Sequence, residues 1–282
     1  MNAGETTISS TSAVGPDDRC RICGQPVELH GYAKVRSKYD ATFVRCSQCG
    51  FISIVNPSWL PEAYAQPINA SDTGYLARNL WCVERVRMVI ELCLDPGGKY
   101  LDYAAGYGVF VRLMRDVGYD FRWTDPYCKN LFARYFEEAR PLAAGFEAIT
   151  AFEVLEHLVD PMKTLKELAP LSRCLIFSTD LIPVTVPAPG EWWYYGLEHG
   201  QHVSFYAFST LQLIAERLNL YLSSDGVCFH MLTDKPLPTH VFRRIDSRIW
   251  GAVIRKTRKR KSKREADRKM VTELQSPLHP HP

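Results

Sequence analysis

Hydrophobic and polar positions along this chain follow two periods. Over residues 75–94 apolar side chains fall three or four apart, at Leu76, Leu80, Val83, Val86 and Ile90. That spacing predicts a helix with one buried face. The run Asp95-Pro96-Gly97-Gly98 stops it. Residues 99–103 then read as a short strand, 108–117 as a helix ended by Gly118, and 121–124 as the next strand. A short strand is expected near 135–137 and another at 148–152. A helix at 158–169 is opened by Asp160-Pro161. A strand at 174–178, a helix at 210–218 and a strand from Tyr221 onward complete the series. Strand and helix alternating at this spacing predict an α/β fold of parallel βαβ units with right-handed crossovers.

The flanks differ from this centre. Residues 1–18 are polar, rich in Ser, Thr and Gly, and expected to be a disordered tail. Residues 19–56 hold paired cysteines among short β-like runs at 41–45 and 51–55. Residues 57–235 form the α/β domain, and 236–282 a basic, partly helical tail. Residues 243–269 carry 13 Lys/Arg against 3 acids, so the overall charge of +3 hides a body of net −7. No run of about 18 apolar residues suggests a membrane span. The N-terminus lacks the basic-then-apolar order of a secretory signal. Nine cysteines, an odd count, argue against a disulfide framework and for a reducing, cytoplasmic setting.

The candidate cofactor turn is Lys99-Tyr-Leu-Asp-Tyr-Ala-Ala-Gly-Tyr-Gly-Val-Phe110. A strand ends in Asp102, and small residues follow at alternate positions, Ala104, Gly106 and Gly108. Small residues there let the backbone approach a ligand at a helix N-terminus. Asp125 ends the next strand, 19 residues after Gly106, where a carboxylate can accept bonds from ribose hydroxyls. A dinucleotide site would want Gly-x-Gly-x-x-Gly, and an acid before the turn sits badly beside a pyrophosphate. It suits a cofactor with an ammonium and a sulfonium.

"LDYAAGYGVF", "TDPY" and "ITAFEVLEHLVDP" together resemble the first, second and fourth motifs of class I S-adenosylmethionine (SAM) dependent methyltransferases, over about residues 70–225. The resemblance implies a Rossmann-like sheet and SAM as cofactor. It implies that Asp102, Ala104, Gly106 and Gly108 line the methionine half, that Asp125 holds the ribose, and that Pro126 and Phe136 flank the adenine. Phe152 and Glu153 would close the floor. Tyr75 would cover the cofactor as a lid. The family usually has Gly where Ala104 stands.

Cys20-x-x-Cys23 and Cys46-x-x-Cys49 are 22 residues apart, and Gly24 and Gly50 follow the pairs. Two such knuckles give a closed tetrahedral thiolate site suited to structural zinc. The module resembles the zinc knuckle ahead of the methyltransferase domain in some bacterial sugar methyltransferases.

Residues 191–206 lie between the fifth strand and the next helix, where the acceptor should sit. They offer Glu198, His199 and His202 and an expected aromatic wall of Trp192, Trp193, Tyr194 and Tyr195. "GQHVSFYAFSTL" resembles the His-containing run of zinc-bearing sugar C-methyltransferases. That resemblance makes His202 a base, with Gln201 and His199 standing where the family has Glu and Tyr. His157, in "EVLEHL", is a further catalytic or cofactor-organising candidate. A sugar, sugar nucleotide or glycan acceptor is the leading expectation. Nucleic-acid methylation through the zinc module and tail is the alternative. A base-amine methyltransferase would carry Asn/Asp-Pro-Pro-aromatic after the fourth strand, and Ala151-Phe152-Glu153-Val154 argues against it. An inactive scaffold is a third reading, supported by Ala104. Residues 240–254 are amphipathic and 255–264 add eight cations, which suits contact with the inner face of an anionic membrane, binding of nucleic acid, or a solvated tail with no partner.

Overall fold

The computed structural model describes residues 19–65, 68, 72–245 and 247–275. The expected lead-in at 1–18 lies outside them, as do the last seven residues.

Three antiparallel strands open the fold: β1 (Glu28–Val35), β2 (Tyr39–Arg45) and β3 (Ile52–Ile54). A one-turn helix α1 (Leu60–Ala63) leads to α2 (Tyr75–Cys93). Then follow β4 (Lys99–Tyr103), α3 (Val109–Asp116), β5 (Asp120–Thr124), β6 (Ala148–Ala151), α4 (Pro161–Leu168) and β7 (Cys174–Ser178). A two-residue strand β8 (Ser204–Phe205), helix α5 (Phe208–Leu218), β9 (Tyr221–Ser224) and β10 (Phe229–Thr233) complete the sheets. Helices α6 (Thr239–Ile245), α7 (Arg248–Thr257) and α8 (Arg264–Leu274) close the described chain.

The main sheet has the order β5-β4-β6-β7-β10-β9. Its first four strands are parallel, as the alternation predicts; β10 runs antiparallel between β7 and β9, so β9 again points the same way as the first four. Only one parallel bridge, Trp123 to Glu137, forms where a strand near 135–137 was expected. Strand side chains alternate between two apolar layers, as a sheet covered on both faces requires. Tyr100, Ala148, Cys174 and Ile176 face α2 and α3, whereas Leu101, Ile149, Leu175 and Phe177 face α4 and α5. Asp160 caps α4 by accepting from Lys163 N at 3.1 Å, and Pro161 occupies the first turn.

The sequence pattern of α2 is only half right. Val83, Val86, Val89 and Ile90 are buried, but Leu76 and Leu80 are 63% and 56% exposed. The first turns of α2 extend past the core and over the cofactor turn, so their inner face carries Tyr75 and Arg78 instead.

The cysteine module is joined to the main domain by a shared sheet. Strand β3 pairs with β8, Ile52 opposite Phe205, so the order is β1-β2-β3-β8. The expected aromatic wall is largely consumed here. Tyr194 and Tyr195 are 1% exposed and pack with Trp192 on Phe43 and Phe205, which leaves Trp193 in solvent. Burying those rings against the module stabilises the loop more than leaving them free, at about 25 cal/mol per Å² removed from water.

The C-terminal helices dock on the same core. Phe242, Ile245 and Ile254 pack among the residues of α2. Arg115 of α3 holds Asp267 of α8 with two bonds, at 2.8 and 2.7 Å, and both side chains are buried.

Candidate active site

The cofactor turn leaves β4 and enters α3 through three left-handed residues: Ala104 (φ 54°), Gly106 (φ 53°) and Gly108 (φ 83°). Gly106 is closely overhung. A Cβ there would stand 3.2 Å from Tyr75 Oη and 3.4 Å from Ile68 Cδ1. The turn is therefore a bare backbone cradle covered by the first residue of α2, which fits a cofactor lying along the main chain. Burial and then the charge of Asp102 push the Tyr75 hydroxyl up to about 12, so it stays a neutral donor.

Two carboxylates face this cradle. Asp102 is buried and accepts from Thr150 Oγ1 at 2.6 Å. Burial raises it to about 7, the Thr150 bond opposes this, and the Asp125 charge adds to it. Asp125 staples the neighbouring loops: Oδ2 accepts from Gly106 N at 2.9 Å, and Oδ1 from Tyr127 N and Cys128 N. Trp123 Nε1 donates to Gly106 O at 3.0 Å, which fixes the other side of the turn. Pro126 is exposed at the rim. Phe136 is buried, and the Arg115 guanidinium lies 3.7 Å from its ring centroid. Phe152 stacks into the core on Phe110 and Phe229. Glu153 (φ 54°) is held by Ser178, whose hydroxyl donates to Oε1 at 2.7 Å and accepts from Glu153 N at 2.8 Å. Arg78 of α2 reaches toward Glu153 at 3.9 Å and is clamped by Asp72.

Beyond Glu153 the chain makes a 3₁₀ turn, Leu155–His157, which docks on residues 203–206. Val203 N donates to Glu156 O, Ser204 Oγ to Leu158 O, and Tyr206 Oη to Leu155 O, all within 2.8 Å. This docking brings His157 to His202, with ring centroids 4.8 Å apart and planes at 85°. Each histidine binds a carbonyl through Nδ1: His157 to Gln201 O at 3.2 Å, His202 to Tyr194 O at 2.6 Å. That pairing assigns the proton to Nδ1 and leaves Nε2 with its lone pair. Burial lowers His157 to about 4 and holds His202 well below its usual range, so both imidazoles are neutral.

His199 sits apart in function. Its ring stacks edge-on to His202, its Nδ1 accepts from Gln201 N at 3.1 Å, and its Nε2 lies over Gly196. The Gln201 amide donates to Ala63 O, and Trp59 Nε1 to Gly200 O at 2.7 Å. Residues 199–201 are thus pinned by α1 and the residue before it.

Glu156, Tyr64, Tyr127 and Thr150 were not singled out from sequence. Tyr127 stacks on Tyr64, and Tyr64 meets His157 edge-on, so a line of rings runs from the cofactor loop to the histidines. Thr150 had a visible signal, a hydroxyl inside an otherwise apolar strand. Tyr64 and Tyr127 had none.

The four cysteine sulfurs lie within 4.8 Å of one another, with Cys20 to Cys49 at 3.6 Å and Cys23 to Cys46 at 3.3 Å. Gly24 and Gly50, at φ 76° and 77°, turn each knuckle and donate to the carbonyls of Cys20 and Cys46. Four converging thiols suit a tetrahedral zinc ion in donor type and spacing. The module is also tied to α5: Thr210 Oγ1 and Ser209 Oγ both donate to Cys49 O.

A parallel sheet with one antiparallel strand, β10, set between β7 and β9, and a glycine cradle between two acids, define a nucleoside-type cofactor site. A family model described as "Methyltransferase domain" matches residues 76–224. The chain belongs to that family and is a SAM-dependent methyltransferase with a Rossmann-like α/β fold. Among solved structures, a SAM-dependent methyltransferase from Thermotoga maritima is 13% identical. It covers 62% of this chain and 99% of its own, with a TM-score of 0.44. Magnesium protoporphyrin IX methyltransferase from Synechocystis, solved with bound SAM, is 13% identical over 63% of this chain and 91% of its own, with a TM-score of 0.38. Curated proteins give no match to this chain.

Proposed function

We propose that the protein methylates a hydroxyl or an acidic carbon of a sugar, sugar nucleotide or glycan. The observation that carries this reading is the pair of buried His202 and partly buried His157, both neutral, each with Nδ1 held by a carbonyl. Such acceptors must lose a proton as they take the methyl group, and a positioned imidazole with a bare Nε2 suits that task. SAM supplies an electrophilic methyl group on a sulfonium. Asp102 and the Gly106 cradle would hold its methionine half, and Asp125 its ribose. Tyr75 would cover it and keep water out. Zinc in the Cys20/Cys23/Cys46/Cys49 site would be structural, with no thiol left to open a position. The module and the catalytic domain then act as one unit through β3 and β8.

The test is transfer of labelled methyl from SAM across sugar nucleotides, lipid-linked glycans and RNA. Transfer to RNA alone would overturn the acceptor class. His202→Ala should abolish transfer and leave SAM affinity within about twofold. Unchanged turnover would remove His202 from the mechanism.

A lipid-linked acceptor is favoured by helix α7. It exposes Ile249, Trp250 and Val253 beside Arg255 and Lys256. Among the described residues no helix is long and apolar enough to cross a membrane, so contact would be peripheral. Co-sedimentation with phosphatidylglycerol vesicles, lost in Trp250→Glu, checks this. Equal sedimentation of both proteins would refute it.

A further inference from the structure

Glu156 is fully buried, and neither carboxylate oxygen has a hydrogen-bond partner. The nearby Tyr194 hydroxyl is engaged with Thr179 Oγ1 at 3.2 Å. A buried acid left this way is unfavourable even when neutral, and more so when charged. One ligand-capable atom each from Glu156, His157 and His202 lies within 4.8 Å of the others. Two backbone carbonyls orient the imidazoles from behind, the arrangement that fixes the ring of a metal-ligating histidine.

The geometry points to a second metal site, in which Glu156, His157 and His202 bind a first-row divalent cation. One carboxylate and two imidazoles suit Mn²⁺, Fe²⁺, Co²⁺ or Zn²⁺ over Mg²⁺ or Ca²⁺, which prefer all-oxygen shells. Three protein ligands leave positions open for oxygens of the acceptor. His157 is only partly buried, and the Tyr64–Tyr127 stack lies on its outer side. The Tyr64–Tyr127 stack thus links His157 to the loop after β5 that carries Asp125.

This inference rests on the reading of the histidine pair as the acceptor side; it narrows that reading to a hydroxyl acceptor and makes the two imidazoles ligands in place of bases, since an Nε2 bound to the cation has no lone pair left for a proton. A hydroxyl on the cation loses its proton to bulk water more readily. Its oxygen then bonds the methyl carbon as the S–CH₃ bond breaks. That bond's electron pair stays on sulfur, and the sulfonium becomes a neutral thioether.

The experiment is equilibrium dialysis of the full-length protein, first treated with EDTA, against Mn²⁺ and separately against Zn²⁺. Metal content is read by mass spectrometry. The cysteine site should retain about one zinc, because four thiolates hold it tightly and Mn²⁺ competes poorly for sulfur. About one further equivalent of either ion should bind. Glu156→Gln, an isosteric change, should lose that equivalent while keeping the cysteine zinc and SAM binding. Failure of both ions to exceed the cysteine zinc would overturn the inference, as would a second equivalent undiminished in Glu156→Gln. If the second ion binds but no hydroxyl acceptor is methylated, the metal site stands and the acceptor reading falls. If methyl transfer to a hydroxyl persists in EDTA-treated protein that binds no second ion, the acceptor reading stands and the metal site falls.

Discussion

Thr150 Oγ1 donates to Asp102 Oδ1 at 2.6 Å across the junction of two central strands. That bond stabilises a carboxylate in a place where burial alone would keep it protonated. It sets the acid at about 7, where a cationic ligand can tip it. SAM should bind the ionised form. Its affinity should then be flat above about pH 7 and fall about tenfold per unit below it, with proton release on binding in that lower range. The linkage has a definite sign. A folded-state value raised above the unfolded one favours the protein at low pH and loses that contribution as pH rises through about 7. Binding of a cation reverses this, so the SAM-induced rise in Tm should shrink as pH falls. Thr150→Val should move the midpoint upward. Calorimetry from about pH 5 to about pH 8 checks both statements, and a flat affinity over that range would refute them.

Ala104 and Gly106 share nearly the same φ but not the same surroundings. A left-handed alanine costs about 1–2 kcal/mol, and glycine loses about 0.5–1 kcal/mol in entropy. Ala104→Gly should therefore change stability by less than about 1 kcal/mol and leave SAM affinity intact. Gly106→Ala should lower both, since its Cβ would meet Tyr75 Oη at 3.2 Å. Thermal melts and calorimetry of the two variants check this. Normal SAM binding by Gly106→Ala would show that the cradle is not the cofactor's.

The parts that could be read from sequence are those whose neighbours are local or periodic. Strands β6 and β7 are buried along their whole length, so their apolar runs locate them, and β4 and β5 are located by the turn residues that bound them. The cysteine knuckles carry their own geometry in spacing and glycine. Leu76 and Leu80 misled because a helical period does not show where the core ends. Residues 192–195 misled for a related reason: their partners, Phe43 and Phe205, are remote or hidden in a two-residue strand. Glu156 looked like one more acid in a helical turn, and only its burial reveals that it lacks a partner. Asp267 was hidden among cations, whose count obscured its ion pair with Arg115.

That pair gives a prediction about the C-terminal helices. Arg115 bonds Asp267, Asp120 and the Phe121 carbonyl while covering Phe136. Removing one partner of a buried ion pair costs about 3–5 kcal/mol. Asp267→Ala should lower unfolding stability by about that amount, read from the urea midpoint at unchanged slope. A loss under about 1 kcal/mol would mean that α8 contributes little to the native core.

The β3–β8 pairing makes the cysteine module answerable for the acceptor loop. Ser204 and Phe205 follow His202 with only Val203 between, and their pairing with Ser53 and Ile52 depends on a strand that starts three residues after Cys49. If the four cysteines hold zinc as proposed, losing it should free the Cys46–Cys49 knuckle, then β3, and then the segment that carries His202. The cofactor turn is built on β4 and β5, which belong to the other sheet. Cys46→Ser/Cys49→Ser should therefore lose zinc and cut kcat by at least about tenfold, while SAM affinity stays within about threefold. Zinc content, steady-state kinetics and SAM calorimetry on one preparation separate these effects. A zinc-free variant with normal kcat would show that the loop holds its shape without the module. Equal loss of SAM binding would show that the damage is global unfolding.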